Sequence, residues 1–366
     1  MKVLHVNADL AQSNNSPYLV DLLTEAKNEK DDFELLTLTE NEVAKKAIQA
    51  GIRTKILRAR NQYDIVALKR LITYINKSNF DIVHTHGMRA NLYLALIHHY
   101  VKAKWVTTVH SNPLTKFSNR KVLGNLLTKV NSTALKRADG MFAITQNLSK
   151  LLVNQLEIPK TNICVIYNGI FFHDNATLLT KYKHPYFNVI NIASLEKNKG
   201  QDLLLKAIKK TNNPNIHLHI VGEGKEQANL CALVKKLKLD QQVTFHGSLS
   251  RWQLTKLYQR MDLAALTSYS ENFPFFLLEA SDNLVPILST NVAEIKKMIP
   301  DDNHGFVTEV GNQQQLKEKL VYASNLDKKT LQQIATTEKA YLANTFSMAN
   351  QLAAIKNYYR ILLGVN

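Results

Sequence analysis

Phe187-Asn-Val-Ile-Asn-Ile-Ala193 is a short apolar run without helical spacing, and a polar connection rich in Lys, His and Asn precedes it from Phe172 to Pro185. Such a run reads as a buried strand, and its place halfway along 366 residues makes it the start of a second series of elements. Ile216-His-Leu-His-Ile-Val221, Val243-Thr-Phe245, Asp262-Leu-Ala-Ala-Leu266 and Pro286-Ile-Leu288 continue the series, with helix-like stretches that include 203–210 and 228–237 between them. Alternation of this kind is the mark of βαβ units around a parallel sheet. An earlier series opens with Val3-Leu-His-Val-Asn7. It runs on through Phe33-Glu-Leu-Leu-Thr-Leu38, Asp81-Ile-Val-His-Thr85, Trp105-Val-Thr-Thr-Val109, Gly140-Met-Phe-Ala-Ile144 and Val165-Ile-Tyr167, with helices such as 63–76 and 92–100. The expected fold is α/β, two doubly wound Rossmann-like domains at 1–171 and 186–345 joined by a linker at 172–185. Open sheets of this class bind ligands beyond the carboxyl ends of their strands, and two in tandem are expected to face a shared cleft.

Composition agrees with a folded enzyme-sized chain, since 45% hydrophobic and 21% charged residues exclude disorder and fibrous repeats. Cys164 and Cys231 lie in apolar surroundings without disulfide or metal-ligand spacing and read as buried free thiols. No signal-type start is present, and no apolar run approaches the ~20 residues that span a bilayer, so a cytoplasmic location is expected. The net charge of +16 is uneven: residues 1–184 carry 25 Lys+Arg against 14 Asp+Glu, and the remainder 21 against 16. Between Asp81 and Asp139 there is no acidic side chain, while nine cations occur, among them Arg89, Lys116, Arg120 and Lys121. This field fits an anionic membrane surface or a basic solvated face. No aromatic-interleaved or zinc-finger pattern accompanies it, and nucleic acid is not expected as a partner.

The most specific segment is Ser270-Glu-Asn-Phe-Pro-Phe-Phe-Leu-Leu-Glu-Ala280, which sets Glu271 and Glu279 eight residues apart across a loop-to-helix junction. Pro274 suits the first turn of a helix, whose start would present backbone N–H groups and a positive dipole end to an anion. Glu279, about one turn in, would accept from hydroxyls, and Glu271, still in the loop, would face whatever lies beyond the anion. A sugar diphosphate has that form, with hydroxyls at both ends and phosphates between them.

With its surroundings, this Glu-x7-Glu element resembles the retaining glycosyltransferases of family 4, the glycosyl transferases group 1, which have the GT-B fold. Asp81-Ile-Val-His-Thr-His-Gly87, Thr107-Thr-Val-His110, Val165-Ile-Tyr-Asn-Gly-Ile170, Ala193-Ser-Leu-Glu-Lys-Asn-Lys-Gly-Gln-Asp202 and Ile220-Val-Gly-Glu-Gly224 look like further family segments in family order. Phe346 to Leu363 is similar to the family's last helix, which crosses back to the first domain; 346–366 is therefore assigned there. The resemblance implies that Glu271 binds donor-sugar hydroxyls, Glu279 the donor ribose and Lys199 the diphosphate, while His110 approaches the transferred sugar. His110 and Glu271 are the expected catalytic residues, and Lys199, Asn272, Phe273, Glu279, Ser194 and Gly222 the donor-binding set. Asn15, Arg120 and Lys121 are expected at the acceptor or membrane surface. His84 and His86 read as packing or loop-ordering groups, and Asn168-Gly169 as a turn. Three departures stand out: Ser194 occupies a position where many members have Arg, the first loop Leu10–Pro17 lacks glycine, and Phe273-Pro274-Phe275 replaces a commoner Phe-Gly-Leu type sequence.

The implied reaction retains anomeric configuration and moves a sugar from a nucleotide-diphosphate donor, UDP-sugar preferred, to a glycan or lipid-linked acceptor in cell-surface polysaccharide or glycoconjugate synthesis. No cofactor is expected, and with no Asp-x-Asp signature no metal either. A nucleotide-sugar epimerase and a non-catalytic GT-B subunit are the alternatives, and the oligomeric state is left open.

Overall fold

The computed structural model describes residues 1–8, 16–60, 64–114, 121–174 and 185–365. The chain forms two units, Met1–Phe171 with Phe346–Asn366, and Phe172–Thr345. In the first unit β1 (Lys2–Asn7), β2 (Asp32–Thr37), β3 (Thr54–Ile56), β4 (Ile82–His86), β5 (Lys104–Val109), β6 (Gly140–Ala143) and β7 (Ile163–Val165) alternate with α1 (Ser16–Asn28), α2 (Glu42–Gln49), α3 (Ile65–Lys77), α4 (Met88–Ile97), α5 (Lys121–Leu135) and α6 (Gln146–Leu156). All strand pairs are parallel, in the order β3-β2-β1-β4-β5-β6-β7. The chain winds outward from β1 on one side and from β4 on the other. β1 is central because Val3 to Asn7 is buried throughout, as a strand covered on both faces requires.

The second unit repeats the plan with β8 (Phe187–Ile192), α7 (Gln201–Thr211), β9 (Ile216–Val221), α8 (Gln227–Leu237), β10 (Val243–Phe245), α9 (Arg251–Tyr258), β11 (Leu263–Leu266), α10 (Phe275–Asp282), β12 (Ile287–Thr290), α11 (Ile295–Met298), β13 (Phe306–Thr308), α12 (Gln313–Asn325) and α13 (Lys328–Phe346). Its sheet runs β10-β9-β8-β11-β12-β13, again all parallel. Val189, Leu218, Ile220, Leu263 and Leu288 fill one face with Leu204, Ile208 and Leu316 from the helices. β3 and β13, three residues each, escape the sequence reading, and the strand placed at Val165–Tyr167 is instead Ile163–Val165. The two cysteines are free but only half-buried, a correction to the expectation of buried thiols.

α14 (Met348–Leu363) returns the chain to the first unit, packs beside α1 and reaches the sheet through Tyr359. Leu4 and Val6 of β1 join Val83 and Trp105 in the core on one face, so strand alternation sends His5 to the other. Register then places His5 beside His84 and Asn7 beside His86. His5 Nδ1 and His86 Nε2 share a hydrogen bond of 2.9 Å, and His84 lies 2.6 Å from the Tyr359 hydroxyl and 2.7 Å from Thr108 Oγ1. Tyr359 also meets the rings of Phe33 and Phe142, and Lys356 Nζ bridges Glu29 and Asp31 at 2.8 Å each. Where the chain crosses between units its two passes pair side by side: Ile170 N donates to Phe346 O at 3.0 Å and Met348 N to Ile170 O at 2.8 Å. Gly169 is therefore no simple turn residue. A Cβ there would stand 2.4 Å from Ser347 O, and its N–H donates to Gln351 Oε1 at 2.7 Å.

Burial disfavours the charged form of all three imidazoles: the His5 pKa is pushed down to about 3, and His84 and His86, which also repel one another, fall well below the ordinary value. Unfolded histidine titrates near 6.5, so below that pH the unfolded chain binds protons that the folded unit refuses. Stability contributed by each neutral imidazole is thus complete above about pH 6.5 and declines as pH falls below it, for His5 down to about 3. For His5 the loss at pH 5 is about 2 kcal/mol. Urea unfolding followed through the buried Trp105 is expected to lose stability steeply between pH 6.5 and 5. His5→Gln should reduce that slope, whatever its effect on stability at pH 7.5.

Candidate functional site

In the second unit the direction of winding reverses between β8 and β11. Loops leaving these neighbouring strands part in opposite directions, which opens a crevice at their carboxyl ends. Asn191 pins the two strands at this point by donating Nδ2 to Ala265 O at 2.8 Å. The β8 loop turns through Lys197–Lys199 to Gly200, which has φ +65° and begins α7. A Cβ on Gly200 would lie 2.1 Å from Thr267 O, so only glycine lets the β8 and β11 loops touch backbone to backbone. Thr267 Oγ1 donates to Gly200 O at 2.9 Å, and Tyr269 N to Asn198 O at 2.8 Å. That stitching sets Lys199 Nζ 2.7 Å from Glu271 Oε1, with the two side chains 20% and 11% exposed. Ser268 Oγ donates to the same carboxylate oxygen at 2.7 Å.

Ser194 and Gly222 come together beside this pair of loops. Gly222 has φ +129°, and a Cβ there would stand 2.0 Å from Ala193 O. The β8 and β9 loops thus also meet through backbone, with Leu195 N donating to Glu223 O and Glu226 N to Leu195 O at 2.9 Å each. Ser194 is exposed, and its carbonyl accepts from Gln201 Nε2 at 3.1 Å. Asn272 is exposed and Phe273 buried, its ring set edgewise on Phe275. Pro274 precedes α10 as its N-cap instead of lying in the first turn, and that turn is tight: Phe275 N donates to Phe273 O and Leu277 N to Pro274 O. The helix start accordingly offers fewer donors to an anion than its sequence suggests. Glu279, one turn further, is exposed; the Tyr258 phenol, raised well above its ordinary pKa chiefly by burial, also feels the Glu279 charge.

His110 belongs to the first unit, just past the carboxyl end of β5 and partly exposed. The Tyr18 ring meets it edgewise at 5.3 Å, and the Tyr18 hydroxyl accepts from Gln351 Nε2 of α14. His86 follows at 6.3 Å between ring centroids. Ligating atoms of His5, His84 and His86 lie within 4.8 Å of one another, a spacing that could suit a metal ion. His84 uses both ring nitrogens on Tyr359 and Thr108, and His5 Nδ1 is bound to His86. Hydrogen bonding therefore organises the cluster. Asn15 and Arg120 lie outside the described residues, as does part of the expected linker; Lys121 starts α5, and only its backbone is described. Sequence reading missed Thr267, Ser268 and Tyr18, ordinary residue types whose only signal is adjacency to a recognised segment.

Residues 16–171 match the sequence family described as "Glycosyltransferase Family 4", and residues 180–340 match "Glycosyl transferases group 1". The chain is 27% identical over 261 residues to N-acetyl-alpha-D-glucosaminyl L-malate synthase of Bacillus anthracis, covering 68% of this chain and 67% of that protein. It is 25% identical over 300 residues to the O-antigen biosynthesis glycosyltransferase WclY of Escherichia coli, covering 77% and 80%. Among solved structures, HepE of Anabaena in complex with UDP superposes with a TM-score of 0.80 at 19% identity, over 98% of this chain and 99% of that one. A glycosyltransferase of Rickettsia africae does so at 0.79 and 18%, over 99% and 98%. These likenesses in structure establish the GT-B fold, and the sequence matches cover both halves of the molecule; the chain belongs to the group 1 glycosyltransferases and is itself a glycosyltransferase.

Proposed function

We propose that the protein transfers a sugar, with retention of anomeric configuration, from a nucleotide-diphosphate sugar held by the second unit to a glycan or lipid-linked acceptor. The observation that carries this reading is the Lys199–Glu271 pair at the β8/β11 switch point. It sets one cation and one hydroxyl acceptor side by side, as a diphosphate joined to a sugar needs. Lys199 would neutralise charge developing on the leaving diphosphate, Glu271 would accept from sugar hydroxyls and Glu279 from the ribose. The exposed rim of Ser194, Gly222 and Asn272, with Phe273 beneath it, would complete the donor site. His110 is assigned to the transferred sugar from the family resemblance.

Chemically, the acceptor oxygen bonds to the anomeric carbon on the face from which the diphosphate departs. The carbon–phosphate oxygen bond breaks, and the acceptor proton passes to the departing phosphate oxygen. UDP is the preferred nucleotide, a choice supported by HepE, whose solved complexes hold UDP and UDP-glucose. A polysaccharide or glycoconjugate product is supported by the O-antigen relative. We assign the work of a divalent cation to Lys199, since the sequence has no Asp-x-Asp pair.

The acid-free interval supports a site of action at an anionic membrane surface, on its cytoplasmic side. No helix among the described residues is long and apolar enough to cross a membrane. Within the interval, Lys104 pairs with Asp139, Lys136 with Glu157, and Arg137 donates to Ala95 O. Docking would therefore draw on Arg89, Lys102, Lys116, Arg120, Lys121 and Lys129, with Leu96 and Tyr100, near Lys102 in sequence, exposed by 65% and 68%.

A calorimetric screen against UDP-, GDP- and ADP-sugars tests the donor assignment. Lys199→Ala and Glu279→Ala are each expected to weaken nucleotide-sugar binding by about ten- to a hundredfold while leaving the circular dichroism spectrum intact. Unchanged affinity in both variants would remove the assignment. Co-sedimentation with liposomes is expected to require anionic lipid, to fall as salt shortens the Debye length from ~10 Å toward ~3 Å, and to weaken in Arg120→Glu/Lys121→Glu. Equal binding to neutral and anionic vesicles, or none to either, would favour a soluble acceptor.

A further inference from the structure

Glu271 is gripped from one side only. Its Oε1 accepts from both Lys199 Nζ and Ser268 Oγ at 2.7 Å, and no hydrogen bond to Oε2 occurs among the described residues. Ser268 is fully buried, and its carbonyl accepts from Thr290 Oγ1 of β12 at 2.7 Å. Thr267 beside it anchors the lysine turn by donating to Gly200 O at 2.9 Å, with Lys199 O further off at 3.3 Å. Three hydroxyls from the ends of β11 and β12 therefore fix the carboxylate and the lysine turn in a single frame. A hydroxyl has one proton to donate, and Ser268 spends its own on Glu271.

We propose that Ser268 is a positioning residue that locks Glu271 through Oε1, leaving Oε2 as the one oxygen presented to the donor sugar. The proposal rests on the donor-site reading above. An ammonium group has three N–H donors. With one spent on Glu271, Lys199 keeps two for the diphosphate, so the nucleotide end can bind while Ser268 acts on the sugar end alone. Without the Ser268 hydroxyl the carboxylate keeps its lysine partner but can turn about its terminal torsion, which is broad for such a group. Oε2 then no longer meets the sugar hydroxyl in a fixed geometry. The hydroxyl thus governs how strongly the enzyme distinguishes a nucleotide sugar from the bare nucleoside diphosphate.

Calorimetry on the full chain with UDP-glucose against UDP, GDP-mannose against GDP, and ADP-glucose against ADP isolates this effect; the pair that binds wild type most tightly is used for the variants. Ser268→Ala is expected to hold free-diphosphate affinity within about twofold of wild type and to lose about tenfold in nucleotide-sugar affinity. Ser268→Cys, of similar volume but a weaker donor, should fall between the two and serves if the alanine variant does not fold. A folded Ser268 variant that keeps the wild-type preference for the sugar-bearing ligand, while Glu271→Ala abolishes that preference, would overturn the proposal and spare the donor-site reading. Wild-type protein that binds none of the pairs, or does not favour the sugar-bearing member, would overturn both.

Discussion

At Gly200 the backbone of one loop rests on the backbone of another, with no room for even a methyl group between them. The arrangement of Lys199 and Glu271 in the second unit depends on that approach. Parallel strands oblige the chain to leave every carboxyl end by a loop, and only where winding reverses do two adjacent loops diverge. The contact of Gly200 with Thr267 holds the two loops together at their base and brings Lys199 and Glu271, 72 residues apart in sequence, within 2.7 Å. Gly222 repeats the device one strand away. Wider loops would leave the same charged residues on separate, solvated turns, where an ion pair contributes little.

The first unit solves a different problem. One face of its sheet is packed with aliphatic side chains, and the other carries imidazoles that must stay neutral and hydrogen-bonded to be tolerated. Tyr359 meets that need with a hydroxyl for His84 and a ring for Phe33 and Phe142, so the helix that reaches this face is polar where polarity is required. Tyr18 extends the arrangement from α14 to His110 through Gln351. Gln351 also caps Gly169 at the crossover. A glutamine amide has both a donor and an acceptor, and here one side chain serves the histidine's neighbour and the chain crossing together.

Both sheets were legible in the sequence because their central parallel strands are short, largely apolar runs without helical spacing, despite polar residues such as His5 and Asn191. β3 was not, because Thr54-Lys55-Ile56 has no apolar run to detect; Phe306-Val307-Thr308 of β13 was passed over although Val243-Thr244-Phe245 of β10, equally short and at an edge, was read. The carboxylate pair and Lys199 were found through local spacing and resemblance. Thr267 and Ser268 were invisible, since serine and threonine are common in loops and only a tertiary partner separates a positioning hydroxyl from a solvated one. The tight opening of α10 was likewise hidden: proline is compatible with both the N-cap and the first turn, and side-chain pattern does not decide between them.

The return of α14 also sets an order of events during synthesis. A chain emerging from the ribosome delivers β1 to β7 first, yet the Tyr359 hydroxyl that His84 meets is absent until residues beyond 346 have been made. Phe172–Thr345 is by then complete in sequence and can form its own core. The part of the protein translated first therefore has its full set of partners only once the last helix has been made.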